Sequence, residues 1–210
     1  FTSLSSALAD IGAPGDLIAD IDIIRSYCAL LAQGKSDFVA VEQYRGDDFL
    51  LESLDNKGVP SEGTMRQRMD AYAERILAAV SWASIEFLER TKVPLTPLST
   101  GHIPLDLDGF VMDNSGSKKE NVERTYRQVD GYLCLPAYLG QEGWMVNQHL
   151  LPGSQHPQNG FISFIRETLG RVRQFCAQKP LPVGLIKWKY GSEYLAGKLF
   201  LAPVFQALIS

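Results

Sequence analysis

After Pro94 and Pro97 the spacing of apolar residues changes from a helical three-to-four to a period of two, and this change constrains the fold most. Ile103, Leu105 and Leu107 alternate with Pro104, Asp106 and Asp108. In an extended strand one face is then aliphatic and the other carries two carboxylates. A polar loop runs from Asp113 to about Gln128. Val129 to Leu139 reads as a second strand, Gly140-Gln141-Glu142-Gly143 as a hairpin turn, and Trp144 to Leu151 as a third strand. Pro152 to Gly160 is a loop. Phe161, Phe164, Ile165, Leu169 and Val172 mark a helix to about Cys176, and Pro180 to Ile186 reads as a fourth strand. Trp144 and Tyr132 fall at strand positions and read as core.

The first 90 residues follow the other period. Pro14-Gly15 breaks the chain, and Leu17, Ile18, Ile21, Ile24, Leu30 and Leu31 recur at helical spacing up to Gly34. Short helices are expected near 37–43 and 47–54. Gly58-Val59-Pro60-Ser61-Glu62-Gly63 makes a turn, and Thr64 with Gln67 has capping-box spacing. Met65, Met69, Tyr72, Ile76 and Leu77 share one face of a helix expected to run to about Arg90, with Arg66, Arg68 and Arg75 largely elsewhere. A short helix, a turn and a helix opening with two arginines suits a helix-turn-helix DNA reader. A solvated charged face on a bundle helix accounts for the same residues.

Composition excludes little. At 45% hydrophobic residues, 210 residues can bury a core in one or two domains. No apolar run approaches the ~20 residues of a membrane helix. The start lacks both an initiator Met and a basic segment before an apolar stretch, so a fragment without a signal peptide is expected. Cys28, Cys134 and Cys176 match no disulfide or zinc spacing, which points to core packing and a reducing, cytoplasmic setting. The net charge of −4 argues mildly against nucleic acid. It is uneven, however: residues 1–60 hold 10 of the 24 acids and 4 of the 20 bases, leaving 14 acids and 16 bases after them. His102, His149 and His156 lack metal-site spacing and read as structural or surface residues.

The order strand, strand, strand, helix, strand has a chemical consequence. An RNase H-like fold opens with three antiparallel strands, a helix and a fourth strand. It sets a carboxylate on the first strand beside another at the end of the fourth. Two carboxylates held that way bind two divalent cations about 3.5–4 Å apart, which activate a nucleophile and stabilise the leaving oxygen at a phosphodiester.

One segment carries a family resemblance. Asp106-Leu107-Asp108-Gly109-Phe110-Val111-Met112-Asp113-Asn114-Ser115-Gly116-Ser117-Lys118-Lys119-Glu120, continuing through Arg124-Thr125-Tyr126 to Asp130-Gly131-Tyr132, resembles the catalytic-domain opening of bacterial insertion-sequence DDE transposases. Ala137-Tyr138-Leu139-Gly140-Gln141-Glu142-Gly143 and Leu151-Pro152-Gly153-Ser154-Gln155-His156 extend it. Upstream, Gln33-Gly34-Lys35-Ser36-Asp37-Phe38 and Val59-Pro60-Ser61 through Arg66-Gln67-Arg68 look like the same group's N-terminal region. The resemblance spans about residues 25–180. It implies that Asp108, with Asp106 as the second choice, is the first catalytic carboxylate and a ligand of Mg²⁺. It also implies that DNA, at insertion-sequence terminal repeats, is the partner, and that the chain is a candidate homo-oligomer. Lys118, Lys119, Arg124 and Arg127 in the polar loop, with Arg66 and Arg68 upstream, are the candidate phosphate contacts. A solvated loop is the alternative for the first four.

The pattern then departs from the family. The second catalytic Asp should close the fourth strand before a Ser-Gly turn, but Leu185-Ile186-Lys187-Trp188-Lys189-Tyr190-Gly191 has no acid, and Glu193 comes late. A frameshift accounts for this. Lys-Trp-Lys is encoded AAR-TGG-AAR, which read one base later gives Asn or Ser, Gly, then Asn or Ser. The expectation is therefore an α/β (α+β) chain in three parts. Residues 1–95 are a helical, candidate DNA-binding region, 96–187 a partial RNase H-like mixed sheet with helices, and 188–210 a tail unlike the family. The function expected is that of a catalytically inactive, truncated transposase fragment. A binding protein that holds DNA or subunits and inhibits the intact enzyme is the alternative, and an unrelated α/β hydrolytic domain the third reading.

Overall fold

The computed structural model describes residues 18–156 and 159–176, and the backbone of 183–190 and 193–195. The chain divides into two compact units, Phe1–Ser84 and Ile85–Ser210. The expected class holds: an N-terminal helical region precedes a mixed sheet with helices.

In the first unit, α1 (Asp20–Ala32) carries Ile23, Ile24 and Leu30 on its buried side, and the chain leaves it through Gly34 at φ 73°. Ile23 and Leu30 pack with Val41 and Met65; Ile24 packs with Ile76 and Ala79. A 3₁₀ helix (Phe38–Tyr44) starts at Asp37, whose carboxylate accepts from the Val39 N–H at 3.1 Å. Helix α2 (Asp48–Leu54) starts in the same way at Asp47, on the Leu50 N–H at 3.1 Å. Helix α3 (Glu62–Ala71) is capped by Ser61, which accepts from the Thr64 N–H at 3.1 Å. The cap thus lies three residues before the expected Thr64, whose own N–H is one of the first-turn donors that a cap must satisfy. The expected long helix is also interrupted once, at Tyr72 (φ −121°), before α4 (Ala73–Arg90).

The second unit is built on β1 (Ile103–Asp113). β1 pairs antiparallel with β3 (Asp130–Leu139), which pairs antiparallel with β4 (Trp144–Pro152) and, at its start, with the short β2 (Glu123–Arg124). Helix α5 (Phe161–Phe175) follows, and β5 (Val183–Tyr190) returns parallel to β1, the direction that a crossover helix permits. β6 (Glu193–Leu195) pairs back antiparallel on β5. The aliphatic face of β1 is buried as its alternation requires. Ile103, Leu105 and Leu107 join Leu135, Ala137, Leu139 and Val146, and Phe164, Ile165, Leu169 and Val172 of α5 cover them with Ile85 and Leu88 of α4. β5 runs to Tyr190, past the expected end at Ile186, so Lys187-Trp188-Lys189 lies within a strand; the expected start at 180–182 lies outside the described residues, and β2 and β6 were not expected.

Cys134 and Cys176 are buried, whereas Cys28 is exposed on the outer side of α1, so core packing does not apply to it. Among the described residues no helix is long and apolar enough to cross a membrane.

Candidate active-site strand and its surroundings

Asp106 and Asp108 lie on the face of β1 opposite the core. Both are half-buried, and the same face continues to the exposed Phe110 and Met112. Asp106 stands opposite Tyr138 and Phe110 opposite Cys134 on β3. On the other side, the parallel register sets Asp106 abreast of Lys187 and Asp108 abreast of Lys189. The structure therefore brings the two carboxylates together on one strand, roughly 7 Å apart along it, given about 3.3 Å per residue.

Mg²⁺ takes hard oxygen ligands, and two carboxylates on one face supply those. A metal pair needs more: a carboxylate from the neighbouring parallel strand to close the second side. The β5 positions abreast of the aspartates are lysines, and among the described residues no three His, Cys, Asp or Glu gather into a cluster. The residues present do not fit a two-metal centre. The missing acid was legible in the sequence, since Leu185 to Gly191 holds none; reading the fourth strand as 180–186 hid only that the two lysines stand abreast of the aspartates. The alternation in Leu185-Ile186-Lys187-Trp188-Lys189-Tyr190 was the available signal.

Lys118, Lys119, Arg124 and Arg127 are all exposed in the loop that joins β1 to β3. This loop begins at Asp113, about 17 Å along the strand from Asp108. Its shape is held from within. The Asp113 carboxylate accepts from the Ser115 N–H at 2.9 Å, a bond that holds its pKa below the usual carboxylate range. Asn114 N–H donates to Asp130 O at 2.9 Å, Tyr132 O–H to Glu120 O at 2.8 Å, and Thr125 Oγ1 to Val129 O at 2.8 Å. The Glu123 carboxylate accepts from both the N–H and the hydroxyl of Ser154, tying this loop to the one after β4. Glu120, Glu123, Asp113 and Asp130 interleave with the four bases, and Arg124 meets Asp130 at 3.3 Å. Lys118, Lys119 and Arg127 are exposed beside that pair, Arg127 over the Tyr126 ring at 5.9 Å. The chain matches no protein-family model, no curated protein and no solved structure.

The two candidate arginines of the helical unit differ. Arg66 is exposed on α3, paired with Glu62 at 2.7 Å and lying over the Phe38 ring at 5.5 Å. Arg68 points inward, 2.6 Å from the buried Asp20 carboxylate, and joins α3 to α1. It acts as an internal tie, and Arg66 keeps the outward position.

Sequence reading missed a polar junction between β4 and α5. Asn147 is buried and donates to Thr168 Oγ1 at 2.9 Å; Thr168 in turn donates to Phe164 O at 2.7 Å. Beside it His149 Nε2 lies 2.8 Å from Glu167 Oε2, and Arg171 reaches Glu167 Oε1 at 2.5 Å. Spacing along one chain cannot show that a strand histidine meets a helix glutamate. The His102 ring meets its near neighbour Thr100 Oγ1 at 3.3 Å, its carbonyl accepts from the Leu98 N–H at 2.8 Å, and His156 is exposed. Trp144 packs against the sheet core with its Nε1–H on Pro94 O at 2.9 Å, and Tyr132 is half-buried.

Proposed function

We propose that the sheet unit derives from the RNase H-like catalytic domain of an insertion-sequence DDE transposase, and that this chain neither cleaves nor joins DNA. Its intact relatives carry out Mg²⁺-dependent cleavage and strand transfer at element ends. The reading is supported by the order of the sheet: three antiparallel strands, a covering helix, then a strand parallel to the first. The observation that carries the loss of activity is Lys189 abreast of Asp108, where the chemistry requires an acid.

Incubating the purified chain with DNA bearing element ends in Mg²⁺ or Mn²⁺ tests the second part. No nicking above a protein-free blank is expected. Cleavage that disappears in Asp108→Ala overturns it. Sequencing the coding DNA through the codons for Val183 to Ser210 tests the descent. A neighbouring frame that writes Asp before Ser-Gly is the expected result, and a tail read in the same frame in related genes counts against it.

A second reading is a binding protein that occupies terminal repeats and blocks the intact enzyme. The exposed Lys118, Lys119 and Arg66 favour it. Gel-shift titration on such DNA should show affinity that falls with salt and is weakened by Lys118→Ala with Lys119→Ala. No shift at any salt removes this reading.

A further inference from the structure

We infer that Asn159-Gly160 is a self-modifying site, at which the folded chain loses one side-chain amide as ammonia and gains a carboxylate just before α5, with Gln155 assisting. The reaction is intramolecular. The Gly160 amide nitrogen gives its proton to solvent and attacks Asn159 Cγ. A bond forms between that nitrogen and Cγ, the Cγ–Nδ2 bond breaks, and Nδ2 takes up a proton and leaves as ammonia. Water then opens the five-membered imide at either of its carbonyl carbons and leaves an aspartyl or an isoaspartyl residue. No oxidation or reduction is involved, and water is the only co-reactant.

The nucleophile is a backbone N–H, so the step needs one that no acceptor holds. The chain has five asparagines: Asn56, Asn114, Asn121, Asn147 and Asn159. After each of the first four the next amide is engaged. Lys57 N–H donates to the Asp22 carboxylate at 3.1 Å and Ser115 N–H to the Asp113 carboxylate at 2.9 Å. Val122 N–H donates to Lys119 O at 3.3 Å and Gln148 N–H to Asn147 Oδ1 at 2.9 Å. Asn56 and Asn147 are fixed further by the bonds their Nδ2 donates. No described residue accepts from the Gly160 N–H. Asn159 and Gly160 are both exposed, and nothing lies within 4 Å of where a Cβ on Gly160 would be, so the approach to Cγ is open. Asn159 N–H closes the turn on His156 O at 2.9 Å. Gln155 Nε2 donates at 3.3 Å to Asn159 O, the carbonyl of the attacking amide. That bond strengthens as the amide becomes an anion, which makes the Gly160 N–H more acidic. The first turn of α5 has no acid, and the helix dipole favours a carboxylate at this end.

The test is to hold the purified full chain at mildly alkaline pH and follow its charge by isoelectric focusing. Peptide mapping by mass, with an isoaspartyl methyltransferase label, then locates the change. A single, more acidic form should appear, carrying the change at Asn159, while the other four asparagines stay intact over the same interval. Asn159→Ser should abolish that form and leave the circular dichroism unchanged. Gln155→Leu should slow its appearance in the folded chain by about three- to tenfold, the effect of one hydrogen bond of about 0.6–1.4 kcal/mol. In urea, where that bond is lost, the same variant should react at the wild-type rate. Earlier loss at any other asparagine overturns the proposal. So does a folded chain that keeps Asn159 intact while the urea-unfolded chain loses it, or a folded Gln155→Leu variant that reacts as fast as the wild type.

Discussion

At the scale of single residues, two glycines decide how the end of the sheet closes. A Cβ on Gly131 would lie 2.0 Å from Met112 O, and one on Gly153 would lie 2.3 Å from both Glu123 O and Gly131 O. These atoms are backbone and cannot swing aside, so the three strand ends approach as closely as they do only because both side chains are absent. Gly131→Ala should cost at least about 1–3 kcal/mol, read as a lower urea midpoint; an unchanged midpoint would contradict this packing. Arg68 is the counterpart in the helical unit. Its guanidinium meets an Asp20 side chain that is 2% exposed. Arg68→Met should therefore destabilise that unit by several kcal/mol, up to about 3–5. Double replacement with Asp20→Leu should recover most of the loss, because the buried charge goes with its partner. No recovery would mean that the pair is not what holds α1 to α3.

At the scale of elements, the connections between strands and helices are polar and partly titratable. Glu167 on α5 is partly buried, which works against ionisation. The hydrogen bond from His149 and the charge of Arg171 outweigh this and hold its pKa below the usual glutamate range. The folded value is depressed, so the stabilisation is complete above the unfolded-state pKa and disappears as pH falls through the folded one. Stability should fall on acidification through the carboxylate range, and Glu167→Gln should flatten that part of the curve. The side chains are 37% and 39% exposed, so the pair is worth only about 0.2–1 kcal/mol. Equal pH slopes in the two proteins would exclude Glu167 as a source. The turn between β3 and β4 is tied in a related way. Glu142 accepts from the Thr96 N–H at 3.0 Å and from its hydroxyl, and Gln141 donates to Pro97 O at 2.7 Å. These bonds fasten the proline-marked segment before β1 to the far end of the hairpin.

At the scale of the whole molecule, the helical unit has two buried clusters and the sheet unit one, and α4 contributes Ile76 and Ala79 to the former and Ile85 and Leu88 to the latter. Met65 is 0% exposed in the helical unit and Leu105 is 0% exposed in the sheet. Met65→Ala and Leu105→Ala should each cost about 2–5 kcal/mol. Hydrogen exchange should show the lost protection falling mainly within the unit that carries the change. Loss spread evenly over both units in either variant would mean that the chain unfolds as one cooperative body.

Periodicity was enough to reveal the class of the fold: a three-to-four repeat to Arg90 and a period of two from Ile103. It also placed Asp106 and Asp108 on one strand face, since alternation in an extended chain is a local property. Short-range polar preferences were harder to read, and the α3 cap was displaced because Ser61 and Thr64 are both good candidates. What pairs with what is a long-range matter. The parallel register that sets Lys189 beside Asp108, and the meeting of His149 with Glu167, join residues 81 and 18 positions apart. Spacing along the chain carries no information at such separations. Hydrogen bonding between strands and packing of α5 on the sheet decided them, and with them which residues stand abreast of Asp106 and Asp108, although the lack of an acid from Leu185 to Gly191 was already legible in the sequence.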